Sequence, residues 1–166
     1  MRSKFTGKAF VYGKNIDTDQ IYPGRYLDLT DAPDVAKHAM EGADGDFAKE
    51  FKAGDIIVAG TNFGCGSSRE HAAITLSAAG VSAVIADSFA RIFYRNGINL
   101  GLPLLVSPGI ASRVSRGDEL EVDLEKSEVA NKTTHERYPL EPVTEYAKNI
   151  LEAGGIKPLL KARFGG

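Results

Sequence analysis

Three short apolar runs set the frame of this chain: Ile56-Ile57-Val58-Ala59, Val84-Ile85-Ala86 and residues 102–106. None alternates with polar residues, so each reads as a strand covered on both faces. Between them, residues 68–79 and 88–96 have helical character, with Gly80 as a C-cap and Gly97 just past the second helix. Strand–helix–strand–helix–strand at this spacing predicts parallel pairing through right-handed crossovers. Upstream, residues 8–12 read as a strand, and Gly13-Lys14-Asn15 is turn chemistry. An irregular stretch follows, broken by Pro23, Gly24 and Pro33. Residues 34–41 read as a short helix opened near Asp34, and 46–52 as a helical turn. In the last third, residues 120–124 alternate with period two, predicting a half-buried antiparallel strand that pairs with 133–139. Residues 142–153 complete the pattern as a helix stopped by Gly154-Gly155, and both chain ends are expected to be flexible. The expected fold is α/β: one compact domain over residues 1–166, with a parallel βαβαβ core plus C-terminal antiparallel strands and helix.

Composition narrows the function. Twenty Lys and Arg against 22 Asp and Glu give a net charge of −2, which excludes nucleic-acid binding driven by a large basic excess. One cysteine makes no intramolecular disulfide and supports neither a structural zinc nor an iron–sulfur cluster alone. The N-terminus lacks an apolar core of the signal-peptide kind, and no run of 18 apolar residues occurs. The expectation is a soluble cytoplasmic protein with no membrane association.

Chemistry concentrates in Gly60-Thr61-Asn62-Phe63-Gly64-Cys65-Gly66-Ser67-Ser68-Arg69-Glu70-His71-Ala72. A buried strand leads in and a helix leads out. Glycines permit left-handed backbone and close ligand approach. Hydroxyls and an arginine fork at a helix start favour a carboxylate or phosphate. Neither the P-loop nor the GxGxxG spacing is present. A plainer reading competes: Ser67 caps the helix, Glu70 closes a capping box, and the glycines form a tight turn. His71 reads first as a structural hydrogen-bonder, and Cys65 as either filler or reactive thiol. Asp17-Thr18-Asp19 alone reads as a side-chain-capped turn.

Three motifs in order resemble the small, swivelling domain of the aconitase superfamily, most closely the free-standing small subunits of 3-isopropylmalate dehydratases. They are Asn15-Ile16-Asp17-Thr18-Asp19-Gln20-Ile21-Tyr22-Pro23, the loop Gly64 to Ala72, and Asp87-Ser88-Phe89-Ala90-Arg91-Ile92-Phe93 with Asn96-Gly97 and Gly101-Leu102-Pro103. Together they cover most of residues 10–106, and the chain length fits such a subunit. The resemblance implies a hydro-lyase that moves a hydroxyl between adjacent carbons of a malate-like acid through an alkene. It implies a [4Fe-4S] cluster acting as Lewis acid. That cluster needs three cysteines, so it would sit in a partner large subunit, in a heterodimer or heterotetramer, with no metal in this chain. By resemblance, Ser67 is the general base and Asp19 an acidic residue that orients or handles protons. Ser68 and Arg69 bind substrate carboxylate, Thr18 lines the substrate and, with Asn62, supports the loop. Arg91 and Arg95 reach substrate or partner, or simply face solvent.

The segment Tyr26-Leu27-Asp28-Leu29-Thr30 matches the loop that reads the variable group of the substrate. It carries no arginine after Tyr26-Leu27. Leu29 offers apolar surface, which desolvates an additional carboxylate unfavourably. This favours isopropylmalate, in leucine biosynthesis, over homoaconitate or citrate, although Arg25 stands close by. Citramalate or dimethylmalate would suit the same loop. Outside the family lie a serine hydrolase, disfavoured by the missing GxSxG elbow, and a non-catalytic module that binds organic anions.

Overall fold

The computed structural model describes residues 3–164. In chain order the elements are β1 (Lys4–Val11), α1 (Thr18–Ile21), α2 (Ala32–Ala36), α3 (Phe47–Glu50), β2 (Ile56–Ala59), α4 (His71–Ala78), β3 (Ala83–Ala86), α5 (Arg91–Asn99), β4 (Leu104–Val106), β5 (Glu119–Asp123), β6 (Glu128–Asn131), β7 (Glu136–Pro139), α6 (Glu145–Ala153) and α7 (Ile156–Phe164). The strands form one sheet in the order β4-β3-β2-β1-β5-β6-β7.

The sheet is parallel on one side of β1 and antiparallel on the other. Ala9, Phe10 and Val11 pair in parallel with Ile56, Ile57 and Val58, while Lys4 to Lys8 pair antiparallel with β5. β1 therefore joins the two halves, each of its ends serving one. The three apolar runs are parallel neighbours, as their lack of alternation predicts, and every residue of β2 and β3 is buried. Their side chains still divide between faces. Ile57, Ala59, Val84, Ala86 and Leu104 pack with Leu76, Phe93 and Ile150 from the helices. Ile56, Val58, Ala83, Ile85 and Leu105 pack on the opposite side with Ile110, Leu120, Val122, Val129 and Tyr138.

Several boundaries differ from the sequence expectation. α4 begins at His71, three residues later than expected, because the glycine-rich loop stays irregular through Arg69. Gly97 lies inside α5 rather than after it, where the helix passes so close to β4 that a Cβ would meet Leu104 Cδ1 at 2.6 Å. Residues 136–139 pair with β6, an element the sequence pattern did not show, and it is β6 that pairs with β5. The C-terminal end continues as α7 instead of remaining irregular. The stop at Gly154, with φ of 87°, is as expected. No helix among the described residues is long and apolar enough to cross a membrane.

Candidate active site

Two loops leave the carboxyl ends of the adjacent parallel strands β1 and β2, the end at which open α/β sheets commonly bind ligands. The first runs into α1 and the second is the glycine-rich loop. They zip together: Gly64 N donates to Ile16 O at 2.7 Å, Thr18 N donates to Cys65 O at 2.8 Å, and Asp17 bridges Cys65 in parallel. Asn15 and Asn62, both with positive φ, join the loop bases through Asn62 Nδ2 to Asn15 Oδ1 at 3.3 Å. Gly64 has φ of 85°, and a Cβ on it would stand 2.2 Å from Phe93 Cγ. Only glycine permits that approach of the loop to α5.

Asp17 is a structural residue. Its carboxylate accepts from Gln20 N at 2.8 Å, and Gln20 Oε1 accepts from Asp17 N at 2.9 Å, a reciprocal capping box. That box sits on α1, not at Ser67. Glu70 occupies the N-cap of α4 and makes no side-chain capping bond, so the capping role read for Ser67 and Glu70 is not realised. Freed from capping, Ser67 is exposed beside α1.

The Ser67 hydroxyl has two neighbours. Arg69 Nε donates to Ser67 Oγ at 2.7 Å, and Thr18 Oγ1 lies 3.1 Å from it, with either hydroxyl able to donate. Thr18 is only 4% exposed, so its side chain is a fixed post. The Asp19 carboxylate accepts from Gly24 N at 2.8 Å and faces Arg69 Nη2 at 3.8 Å. The Asp19 side chain is 67% exposed, so this pair adds little stability by itself. Its effect is to orient the guanidinium. Thr18, Asp19, Ser67 and Arg69 thus converge from two loops about fifty positions apart, linked side chain to side chain.

Chemically, this arrangement is suited to stabilise an oxyanion at Ser67. Should the hydroxyl lose its proton, Arg69 donates to a charged oxygen and Thr18 turns its own proton toward it. Charge-assisted bonds are roughly twice as strong as neutral ones. The support comes from Arg69 and Thr18 rather than from the dipole of α4, which starts four residues further on.

The other expected residues are more dispersed. Ser68 is exposed next to Ser67, and Leu29 is half-buried beyond the short 3-10 turn Gly24–Tyr26, outside the hydrogen-bonded cluster. Asn62 N donates to Ser88 Oγ at 2.8 Å, which fixes the loop base. Arg25 turns to Glu41 at 3.3 Å and lies over the Tyr26 ring, away from the Ser67 cluster. Arg91 and Arg95 are exposed on α5, and Cys65 is half-buried in the loop. His71 stacks on Tyr22 with centroids 5.8 Å apart, and His38 Nδ1 faces Glu41. His135 lies in the turn between β6 and β7, and the Ser67 hydroxyl bonds Thr18 and Arg69 rather than any histidine, which disfavours the serine-hydrolase reading. The Thr18–Ser67 contact and the Gly24 donor to Asp19 carry no local sequence signal, because tertiary approach creates the one and a turn the other.

The family model for the aconitase C-terminal domain matches residues 5–108. This chain belongs to the aconitase C-terminal domain family. Within it, the chain is 55% identical over 164 residues to the isopropylmalate/citramalate isomerase small subunit of Methanocaldococcus jannaschii, covering 99% of this chain and 98% of that one. It is 53% identical to a 3-isopropylmalate dehydratase small subunit of Methanopyrus kandleri, covering 97% and 95% respectively. A crystal structure of a 3-isopropylmalate dehydratase chain from Methanocaldococcus jannaschii superposes with a TM-score of 0.93 at 45% identity, covering 96% of this chain and 95% of that one. The same aconitase-type architecture extends, at 16% identity and a TM-score of 0.50, to aconitase X of Thermococcus kodakaraensis, a likeness of fold alone.

Proposed function

We propose that this chain is the small subunit of a 3-isopropylmalate dehydratase-type hydro-lyase of leucine biosynthesis, a single domain over residues 1–166 that works in the cytoplasm with a large subunit. The observation that carries this reading is the seating of the exposed Ser67 hydroxyl between Arg69 Nε and the buried Thr18 hydroxyl. The small-subunit names of close, nearly full-length relatives support the assignment.

The [4Fe-4S] cluster implied by the family does not fit this chain. It needs three thiolates and the chain has one cysteine. Among the described residues no group of three or more His, Cys, Asp or Glu could hold a metal. The cluster therefore belongs to the large subunit, where it supplies a Lewis acid for the departing hydroxyl. This chain supplies the proton chemistry and anion recognition. Ser67 Oγ takes the proton from the carbon beside a carboxylate, and that C–H electron pair becomes the alkene bond as the neighbouring hydroxyl leaves. Addition of water in the opposite sense returns a proton from the same oxygen. Arg69 and Ser68 bind the carboxylate, Thr18 steadies Ser67, and Asp19 holds the arginine plane. Leu29 provides apolar surface toward the variable group.

The test is an anaerobic isomerase assay with 3-isopropylmalate, following alkene absorbance, on the chain alone and mixed with a cluster-loaded large subunit. Activity in the mixture alone is expected, and the mass of the active complex distinguishes heterodimer from heterotetramer. A complex that forms with a loaded partner and turns over neither isopropylmalate nor citramalate would overturn the reading.

A further inference from the structure

Glu41 gathers donors from three residues, none of them in the Ser67 cluster. Its Oε1 accepts from the Tyr26 hydroxyl at 2.9 Å and from Arg25 Nη2 at 3.3 Å, and its Oε2 lies 2.5 Å from His38 Nδ1. An ionised carboxylate only accepts, so the imidazole donates. The His38 ring also stacks on Tyr26 with centroids 3.6 Å apart. Residue 26 is thus held by its hydroxyl, by its ring face, and at its carbonyl, which accepts from Tyr22 Oη at 2.6 Å and from Leu29 N at 3.1 Å.

The segment that carries this clasp packs against the active-site helix α1. Met40 N donates to Ile21 O at 2.7 Å, and Gly42 lies so close to α1 that a Cβ would meet Gln20 Cα at 2.7 Å and Asp19 O at 2.8 Å. The turn it holds touches the site directly. Gly24 N donates to Asp19, and a Cβ at Gly24 would stand 2.9 Å from Arg69 Nη1. Residues 24–29 therefore enter the site at Gly24, as a wall that starts against the guanidinium bonded to Ser67. A wall made of one short turn and a loop has little stiffness of its own. Its position is set by whatever grips it from outside.

We propose that Glu41 and His38 are positioning residues for substrate selectivity: by clasping Tyr26 they fix the 24–29 wall against Arg69, and so set which variable group the site accepts. This rests on the functional reading above. A pocket wall discriminates small apolar substituents by modest factors, which a displacement of the wall readily changes. Glu41 touches no reacting atom in this scheme, so its loss acts on KM and on substrate ranking more than on kcat.

The test compares kcat/KM for 3-isopropylmalate and for citramalate in the complete two-subunit enzyme carrying Glu41→Gln, and separately Tyr26→Phe, which keeps the ring stack and removes only the hydroxyl. Each variant is expected to shift the ratio of the two values by at least about fivefold, mainly through KM, with Glu41→Asp restoring part of it. Equal losses on both substrates, or an unchanged ratio in Tyr26→Phe with the wild type active, would overturn the proposal. Should Glu41→Gln fail to fold, Tyr26→Phe decides. A wild-type complex inactive on both substrates overturns the functional reading itself and this proposal with it.

Discussion

Arg69 Nε donates to Ser67 Oγ at 2.7 Å, across only two positions of sequence, while its Nη2 faces Asp19 from the neighbouring loop. In the proposed mechanism, an arginine bound to the base in this way ties charge stabilisation to carboxylate recognition. Replacing Ser67 by alanine therefore removes the proposed proton acceptor and leaves the fold unstrained, since the side chain is exposed. Turnover in the two-subunit enzyme is expected to fall by about 10²–10⁴-fold, with subunit association unchanged by gel filtration. Near-normal kcat would strip Ser67 of its role.

Lysine at position 69 keeps the charge and loses the planar fork. One ammonium cannot reproduce the geometry that meets Ser67 and Asp19 together. Arg69→Lys is expected to lower kcat/KM by at least about tenfold, with both kcat and KM affected. A change in KM alone would mean that Arg69 holds substrate but does not act on Ser67.

Gly64→Ala tests the loop architecture rather than the chemistry. The substitution strains a left-handed backbone and drives a Cβ into Phe93. Together these cost about 2–5 kcal/mol, lowering Tm by about 4–20 °C. Gly13→Ala is the control, since a Cβ there meets nothing within 4 Å. Equal calorimetric melts for the two variants would refute the close packing of the loop on α5.

Much of this arrangement was legible in the sequence, and unevenly. The β2 run, Ile56 to Ala59, matches its strand end to end, because four apolar residues between Asp55 and Gly60 have no amphipathic alternative. The Asp17 to Gln20 box was written locally too, yet it reads equally well as a simple turn until both hydrogen bonds are seen. The start of α4 was misplaced because Ser67 and Glu70 have capping-box spacing, and the hydroxyl was drawn instead to Thr18 and Arg69. β6 was missed because Glu128-Val129-Ala130-Asn131 is short and ends in polar residues. It is pairing on both sides that makes it a strand. Long-range contacts such as Thr18 with Ser67 leave no periodicity to read.

Leu29 is half-buried just past the 24–26 turn, and the proposed function makes it apolar surface toward the variable group of the substrate. Leu29→Arg is expected to shift relative kcat/KM away from 3-isopropylmalate and toward homoaconitate-type substrates with a third carboxylate. Competition between the two substrates in the complete enzyme measures it. An unchanged ratio would remove Leu29 from the substrate pocket.

Acid stability follows from a second cluster, at Asp44. Burial raises its carboxyl affinity for protons, but bonds from Arg116 Nη1 at 2.9 Å and the Tyr12 hydroxyl at 2.8 Å outweigh it, holding the pKa below the usual 3.8. Arg116 also reaches Glu50 at 2.6 Å, so the cluster ties β1, α3 and the turn before β5 together. A depressed folded pKa contributes stability that is present above the unfolded value and is lost as pH falls through the folded one. Glu41, held low despite its burial by bonds from His38 and Tyr26, acts in the same direction. Unfolding free energy from urea titrations is therefore expected to decline as pH drops below about 4. Asp44→Asn should lower stability at neutral pH by about 1–3 kcal/mol, through loss of charged hydrogen bonds, and flatten that acid limb. A variant whose acid limb is as steep as the wild type's would place the titration elsewhere.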